Sequence, residues 1–184
     1  RFDEALSRAE KLAGWVPKLQ LATRDDQPLA EDLREMLQAE LKAADEATPD
    51  SFERQSVINQ ISHIYREAGL VNDAKGLLLA ELEKSASPYY FMSGLGSLAE
   101  KDDHFEEALA WRKRAYENSV GVATRFQWGA NYVLAMIRMA PEDHQAIAAG
   151  AKALLSEFDV SGELFAGRNF RILKRLNDNL RSWR

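Results

Sequence analysis

The amino-acid sequence predicts an all-α fold, a right-handed solenoid of antiparallel helix pairs, on three observations. Apolar residues recur at helical spacing along nearly all of the chain. Ala, Leu, Glu, Arg and Lys dominate, and alternating runs of Val, Ile and Thr are missing, which favours helices over strands. Matched positions also recur at a constant interval, the period of a helix-pair repeat. Leu95 follows Ile61 at that interval, Gly96 follows Ser62, Phe105 follows Val71, Ala108 follows Ala74 and Leu109 follows Lys75. The length fits a single helical repeat domain.

A first helix is expected from Phe2 to Val16, with Leu6, Ala9, Leu12, Ala13 and Val16 on one face, closed by Pro17 and the polar stretch from Thr23 to Gln27. Pro28 is placed to open a second helix at the first-turn position, followed by Leu29, Leu33, Met36, Leu37, Leu41 and Ala44. Thr48-Pro49-Asp50-Ser51 reads as a break that also caps the next helix. Repeat units are then expected over about 54–87, 88–121 and 122–158, with a capping helix over about 161–183.

The 34-residue spacing is that of tetratricopeptide (TPR) repeats. In the first unit Ile61 and Tyr65 fall on the first helix, Gly69 in the turn, and Ala74 and Leu78 on the second helix. Leu95, Gly96, Ala99, Phe105, Ala108 and Ala115 form the equivalent set of the second unit. Small residues such as Ala74, Gly96 and Ala108 let paired helices approach closely, while Tyr65, Leu78 and Phe105 are expected to fill the space between pairs. A single pair cannot bury its apolar face alone and needs stacked neighbours. The third unit is degenerate: Trp128-Gly129 with Tyr132 repeats the first-helix signature, and a second helix starting at Pro141 carries Ala146, Ile147 and Leu154. Ala146 lies farther beyond Ala108 than Ala108 lies beyond Ala74, so this turn is longer. The capping helix follows Ser161 with Leu164, Phe165, Ile172, Leu173, Leu176, Leu180 and Trp183.

Composition removes several functional classes. A net charge of −5 disfavours nucleic acid as the main partner. No stretch is long and apolar enough for a membrane span. Cysteine is absent, so disulfides, thiolate metal sites and thiol catalysis are excluded within this chain. The chain starts at Arg1 directly before a helical pattern, which is read as a piece of a longer protein or a processed product.

No side-chain constellation points to catalysis, a cofactor or a metal. His63, His104 and His144 have no His or Cys partner at ligand spacing along a helix. Asp103-His104 with Glu106-Glu107, and Glu142-Asp143-His144, fit helix starts, where acidic groups favour the macrodipole. Neither a Gly-x-Ser-x-Gly elbow nor a phosphate-binding glycine loop occurs. The last helix carries Arg168, Arg171, Lys174, Arg175, Arg181 and Arg184 against Glu163 and Asp178, a net +4, and the solvated face of a capping helix outweighs nucleic-acid binding as its explanation. Tyr89, Tyr90 and Phe91 point in different directions on a helix, so at least one must turn away from the core. The first helices of successive pairs are expected to line a groove with Asn59, His63, Arg66, Tyr90, Ser93, Ser97, Ala130, Val133 and Phe126. Polar groups with an aromatic suit an extended peptide.

Four stretches carry a narrower resemblance. They are residues 81–92 (ELEKSASPYYFM), Ala108-Leu109-Ala110-Trp111 with Ala115-Tyr116, residues 123–129 (ATRFQWG) with Tyr132, and Gly167-Arg168-Asn169 leading to Trp183. Over about residues 50–184 the chain resembles the helical C-terminal region of exported bacterial thioredoxin-family proteins. The resemblance implies a periplasmic or cell-envelope setting and a non-catalytic, protein-binding scaffold beside a thioredoxin-like module. The thioredoxin Cys-x-x-Cys is not in this sequence, so no redox residue carries over. The alternative is a free-standing cytoplasmic TPR adaptor, and a helical enzyme ranks third.

Overall fold

A computed structural model describes residues 6–23, 28–157 and 167–183. The described residues hold ten helices and no strand. They are α1 (Arg8–Ala13), α2 (Trp15–Ala22), α3 (Glu31–Glu46), α4 (Ser51–Glu67), α5 (Val71–Leu82), α6 (Tyr89–Lys101), α7 (Phe105–Asn118), α8 (Val122–Met139), α9 (His144–Glu157) and α10 (Gly167–Trp183). None of them is long and apolar enough to cross a membrane. The contacts divide the chain into two compact units, with the division between Leu98 and Ala99, inside α6.

In the first unit α4 is the central helix, and α1, α2, α3 and α5 pack on it. Its sequence explains why. Val57, Ile58, Ile61 and Ile64 recur at three- and four-residue steps and are buried. Asp50 starts the helix by accepting hydrogen bonds from the backbone N–H groups of Phe52 and Glu53 at 3.1 and 2.8 Å. The expected break at Thr48–Ser51 therefore caps α4. The N-terminal segment differs from expectation. Pro17 does not end a helix but sits in the first turn of α2, where no backbone N–H is required of it. The buried face is accordingly Leu12, Trp15 and Leu19, and Leu6 is exposed. Pro28 precedes α3, whose N-cap is Ala30, rather than lying inside its first turn.

An ion cluster ties three helices of this unit together. Glu81 of α5, with its side chain only 3% exposed, accepts from Arg54 Nε and Nη2 of α4 at 2.8 and 2.7 Å. The same guanidinium reaches Asp45 of α3 at 2.6 Å and the backbone carbonyls of Asp45 and Thr48. The hydrogen bonds from Arg54 hold the Glu81 carboxyl below its ordinary range, against the opposing effect of burial.

The repeat period reappears in the backbone. After α4, Gly69 takes φ +76°, its N–H bonds Arg66 O at 3.2 Å, and the Leu70 N–H bonds Tyr65 O at 2.8 Å. After α6, Asp103 takes φ +58°, its N–H bonds Glu100 O at 3.2 Å, and the His104 N–H bonds Ala99 O at 2.9 Å. Both are the Schellman turn, which satisfies the last helical carbonyls with a left-handed residue. Asp103 stands where its counterpart is glycine, and Asp is one of the few side chains that visits this region. His104 forms no side-chain cap, and Glu106 and Glu107 occupy the first turn of α7. The small residues Ala74, Gly96 and Ala108 are all buried. Phe105, expected to fill space between pairs, is 40% exposed, because as the first residue of α7 it points outward from the helix start.

The second unit is organised on α8, against which α7, α9 and α10 pack. Phe126, Trp128, Gly129, Ala130, Val133, Leu134, Ala135 and Met136 of α8 are buried, so this helix is apolar nearly all round, as a central helix must be. Ala130 and Val133, assigned from sequence to the groove face, therefore belong to this core. The connection to α9 is longer than the two Schellman turns, and α9 starts at His144 rather than at Pro141. Asp143 caps it by accepting from the Ala146 N–H at 3.0 Å. Ile172 and Leu176 of α10 join the core, with Leu173, Leu180 and Trp183 packed on its edge. Leu164 and Phe165 of the expected capping helix lie outside the described residues.

Gly129 marks a close helix crossing. A Cβ built there would lie 2.9 Å from the Tyr116 ring of α7 and would also strike Leu154 of α9. Gly129→Ala should therefore overpack this junction and cost about 1–3 kcal/mol, read as a lower urea midpoint at unchanged slope. An unchanged midpoint would mean that the helices can move apart freely.

Candidate functional site

Six of the nine residues assigned to the groove line one shallow pocket of about 200 Å³ in the first unit. Asn59, His63 and Arg66 come from α4, and Tyr90, Ser93 and Ser97 from α6. Helical geometry places each triple on one face, because the residues are spaced by three and four. Ser62, Gly94 and Leu98 complete the lining. The groove pattern does not single these three out, although helical spacing reaches them. Ser62 and Gly94 lie three or four positions from named residues, and Leu98 lies four beyond Gly94.

The other three, Phe126, Ala130 and Val133, are corrected. Phe126 is fully buried among Val133, Ile147 and Leu154 and forms part of the core of the second unit. Its place with Ala130 and Val133 on the first helix of the third unit assigns it to the groove, but α8 is a central helix whose faces are nearly all covered.

Hydrogen bonds within the pocket fix several groups. The Arg66 guanidinium donates to His63 Nδ1 at 2.6 Å and to Glu67 Oε1 at 3.1 Å. Since arginine has no acceptor, His63 Nδ1 must be unprotonated, and the neutral ring carries its proton on Nε2. Burial, together with the charge of Arg66, pushes the His63 pKa down, with Glu67 opposing. The imidazole is therefore a neutral N–H donor at neutral pH. The Asn59 amide donates to Gln55 O at 2.8 Å, which leaves its carbonyl oxygen to serve as an acceptor. The Ser97 hydroxyl donates to Ser93 O at 3.1 Å. Tyr90 packs on Tyr89 at 4.9 Å between ring centroids, while Phe91, next along the helix, is buried. The three consecutive aromatics thus divide between core and surface.

Together these groups offer hydrogen-bond donors and an acceptor beside an aromatic face and the Leu98 side chain. That is the chemistry of backbone recognition combined with a side-chain contact. Among the described residues no group of three or more His, Asp or Glu side chains could hold a metal. His104 is exposed at the start of α7, and His144 stacks on Trp183 at 5.0 Å, with the indole N–H donating to Pro141 O at 2.8 Å. Compared with protein-family models, curated proteins and solved structures, the chain has no significant match.

Proposed function

We propose that this chain is a TPR-like helical repeat domain that binds protein, without a catalytic centre or cofactor of its own, at the α4–α6 pocket. The observation that carries the reading is the convergence of Asn59, His63, Arg66, Tyr90, Ser93 and Ser97 on one pocket. The matched Schellman turns at Gly69 and Asp103 support the repeat assignment, since each ends the first helix of a pair in the same way. An extended peptide is the ligand that suits the lining: its backbone takes the His63 N–H and the Asn59 carbonyl, and an apolar side chain lies against Tyr90 and Leu98. The resemblance to the helical tails of exported thioredoxin-family proteins supports a role beside a thioredoxin-like module in the periplasm or cell envelope. There the domain would hold a protein substrate for thiol–disulfide chemistry.

The test uses an array of immobilised unstructured peptides, followed by fluorescence anisotropy with the best binder. Arg66→Ala combined with Tyr90→Ala should weaken binding by about tenfold or more, through loss of a charge-assisted donor and an aromatic contact. Both side chains are partly exposed, so thermal stability should change little. Undiminished binding in the double variant, or a large loss of stability without loss of binding, would remove the pocket from consideration.

A further inference from the structure

We infer that a second pocket, in the second unit, binds a small doubly charged oxyanion such as a phosphomonoester or a dicarboxylate. The pocket is an open cleft of about 490 Å³ and takes one arginine from each of three helices: Arg112 of α7, Arg138 of α8 and Arg175 of α10. Asn131, Leu134 and Ile137 of α8 form much of the remaining wall.

The charge balance of this pocket sets it apart from a solvated basic fringe. Glu100 is a carboxylate shared between two of these arginines. Its Oε2 accepts from Arg112 at 2.6 Å and its Oε1 from Arg138 at 2.6 Å. Burial would raise the Glu100 pKa, yet the two arginines outweigh it and hold the group below its ordinary range, so it stays ionised at neutral pH. Arg175 donates to a neutral partner, Asn131 Oδ1, at 2.9 Å and forms no ion pair among the described residues. With the Glu100 charge counted wholly against Arg112, the guanidiniums of Arg138 and Arg175 remain as positive charge at the pocket, within a chain whose net charge is −5.

The geometry of the Glu100 bridge shows what these side chains can do. Two guanidiniums from different helices already converge on a single carboxylate, which orders both donor forks. Arginine forks match the oxygen spacing of carboxylate and phosphate groups, and a concave wall concentrates the field at the pocket. A dianion neutralises the charge of Arg138 and Arg175, while Leu134 and Ile137 offer an apolar surface to an organic remainder. A cleft of this size, with Lys174 of α10 already paired to Asp178 at 2.7 Å, fits a small anion better than the extended stripe that nucleic acid requires.

Amide chemical shifts followed by NMR would test this, titrating the chain with inorganic phosphate, an alkyl phosphate and succinate. Sodium chloride of matched ionic strength is the control. Saturable shifts are expected at Asn131, Leu134 and Arg175 with at least one dianion, and the tighter arm identifies phosphate or carboxylate as the source. Arg175→Gln and Arg138→Gln should each weaken the binding by about 10- to 100-fold, the loss of one charge-assisted donor. Arg168→Gln, on α10 but outside the pocket, should leave it unchanged. Shifts no larger than those of chloride, or binding that survives in both pocket variants, would overturn the inference. Both variants alter exposed side chains, and their own amide spectra report whether the fold is intact.

Discussion

Replacing Arg54 with alanine is expected to destabilise the protein by about 3–5 kcal/mol, the cost of leaving a buried carboxylate without its partner. Glu81 is 2% exposed and depends on Arg54 for two hydrogen bonds, while Asp45 loses its 2.6 Å ion pair in the same variant. Lys84, at 3.1 Å from Glu81, is largely exposed and compensates little. The measurement is urea unfolding at pH 7, with a fall in Tm of roughly 6–20 °C as the thermal counterpart. The sign of the pH dependence follows from the same cluster. The folded-state pKa of Glu81 lies below its ordinary value, so its contribution is fully present above about pH 4.5 and is lost as pH falls through the folded value. Glu100 acts with the same sign. The wild type should therefore lose stability more steeply below pH 4.5 than Arg54→Ala, which lacks the hydrogen bonds that contribute most to lowering the Glu81 pKa. Parallel acid profiles for the two proteins would show that the cluster does not couple protonation to folding.

Phe126→Ala is the second large effect, also about 3–5 kcal/mol, because it removes a fully buried ring and leaves a cavity among Val133, Ile147 and Leu154. The outcome separates two assignments of the same residue. A groove residue would cost binding and spare stability, whereas a core residue costs stability and leaves the α4–α6 pocket untouched. The expected result is a large drop in urea midpoint with peptide affinity unchanged once the variant is folded. A Phe126→Ala protein as stable as its parent would contradict the packing of α8.

Much of the architecture was legible in the sequence because its signals are local. The apolar spacing on α4, the cap at Asp50 and the turn at Gly69 depend on residues within a few positions of one another. Six pocket residues were legible for the same reason: spacings of three and four place them on single helical faces. The departures also have local causes. Pro17 resembles a helix stop, but a proline in a first turn leaves no bond unmade. Phe105 has the repeat position of a space-filling residue, but the first residue of a helix can face solvent.

The sequence by itself determined the all-α class, the positions of most helices and the turn at Gly69, because backbone hydrogen bonding and helical periodicity are written within short stretches. Only the tertiary structure decided which helices become central. The same aromatic character that makes Tyr90 a half-buried surface residue on α6 makes Phe126 a core residue on α8, since α7, α9 and α10 all close on that helix. Tertiary packing also brought Arg54 to Glu81 and Asp45, and Arg112 and Arg138 to Glu100, pairings between helices that no periodicity encodes. Charges choose partners by proximity in the folded chain, and that proximity exists only once the helices have packed.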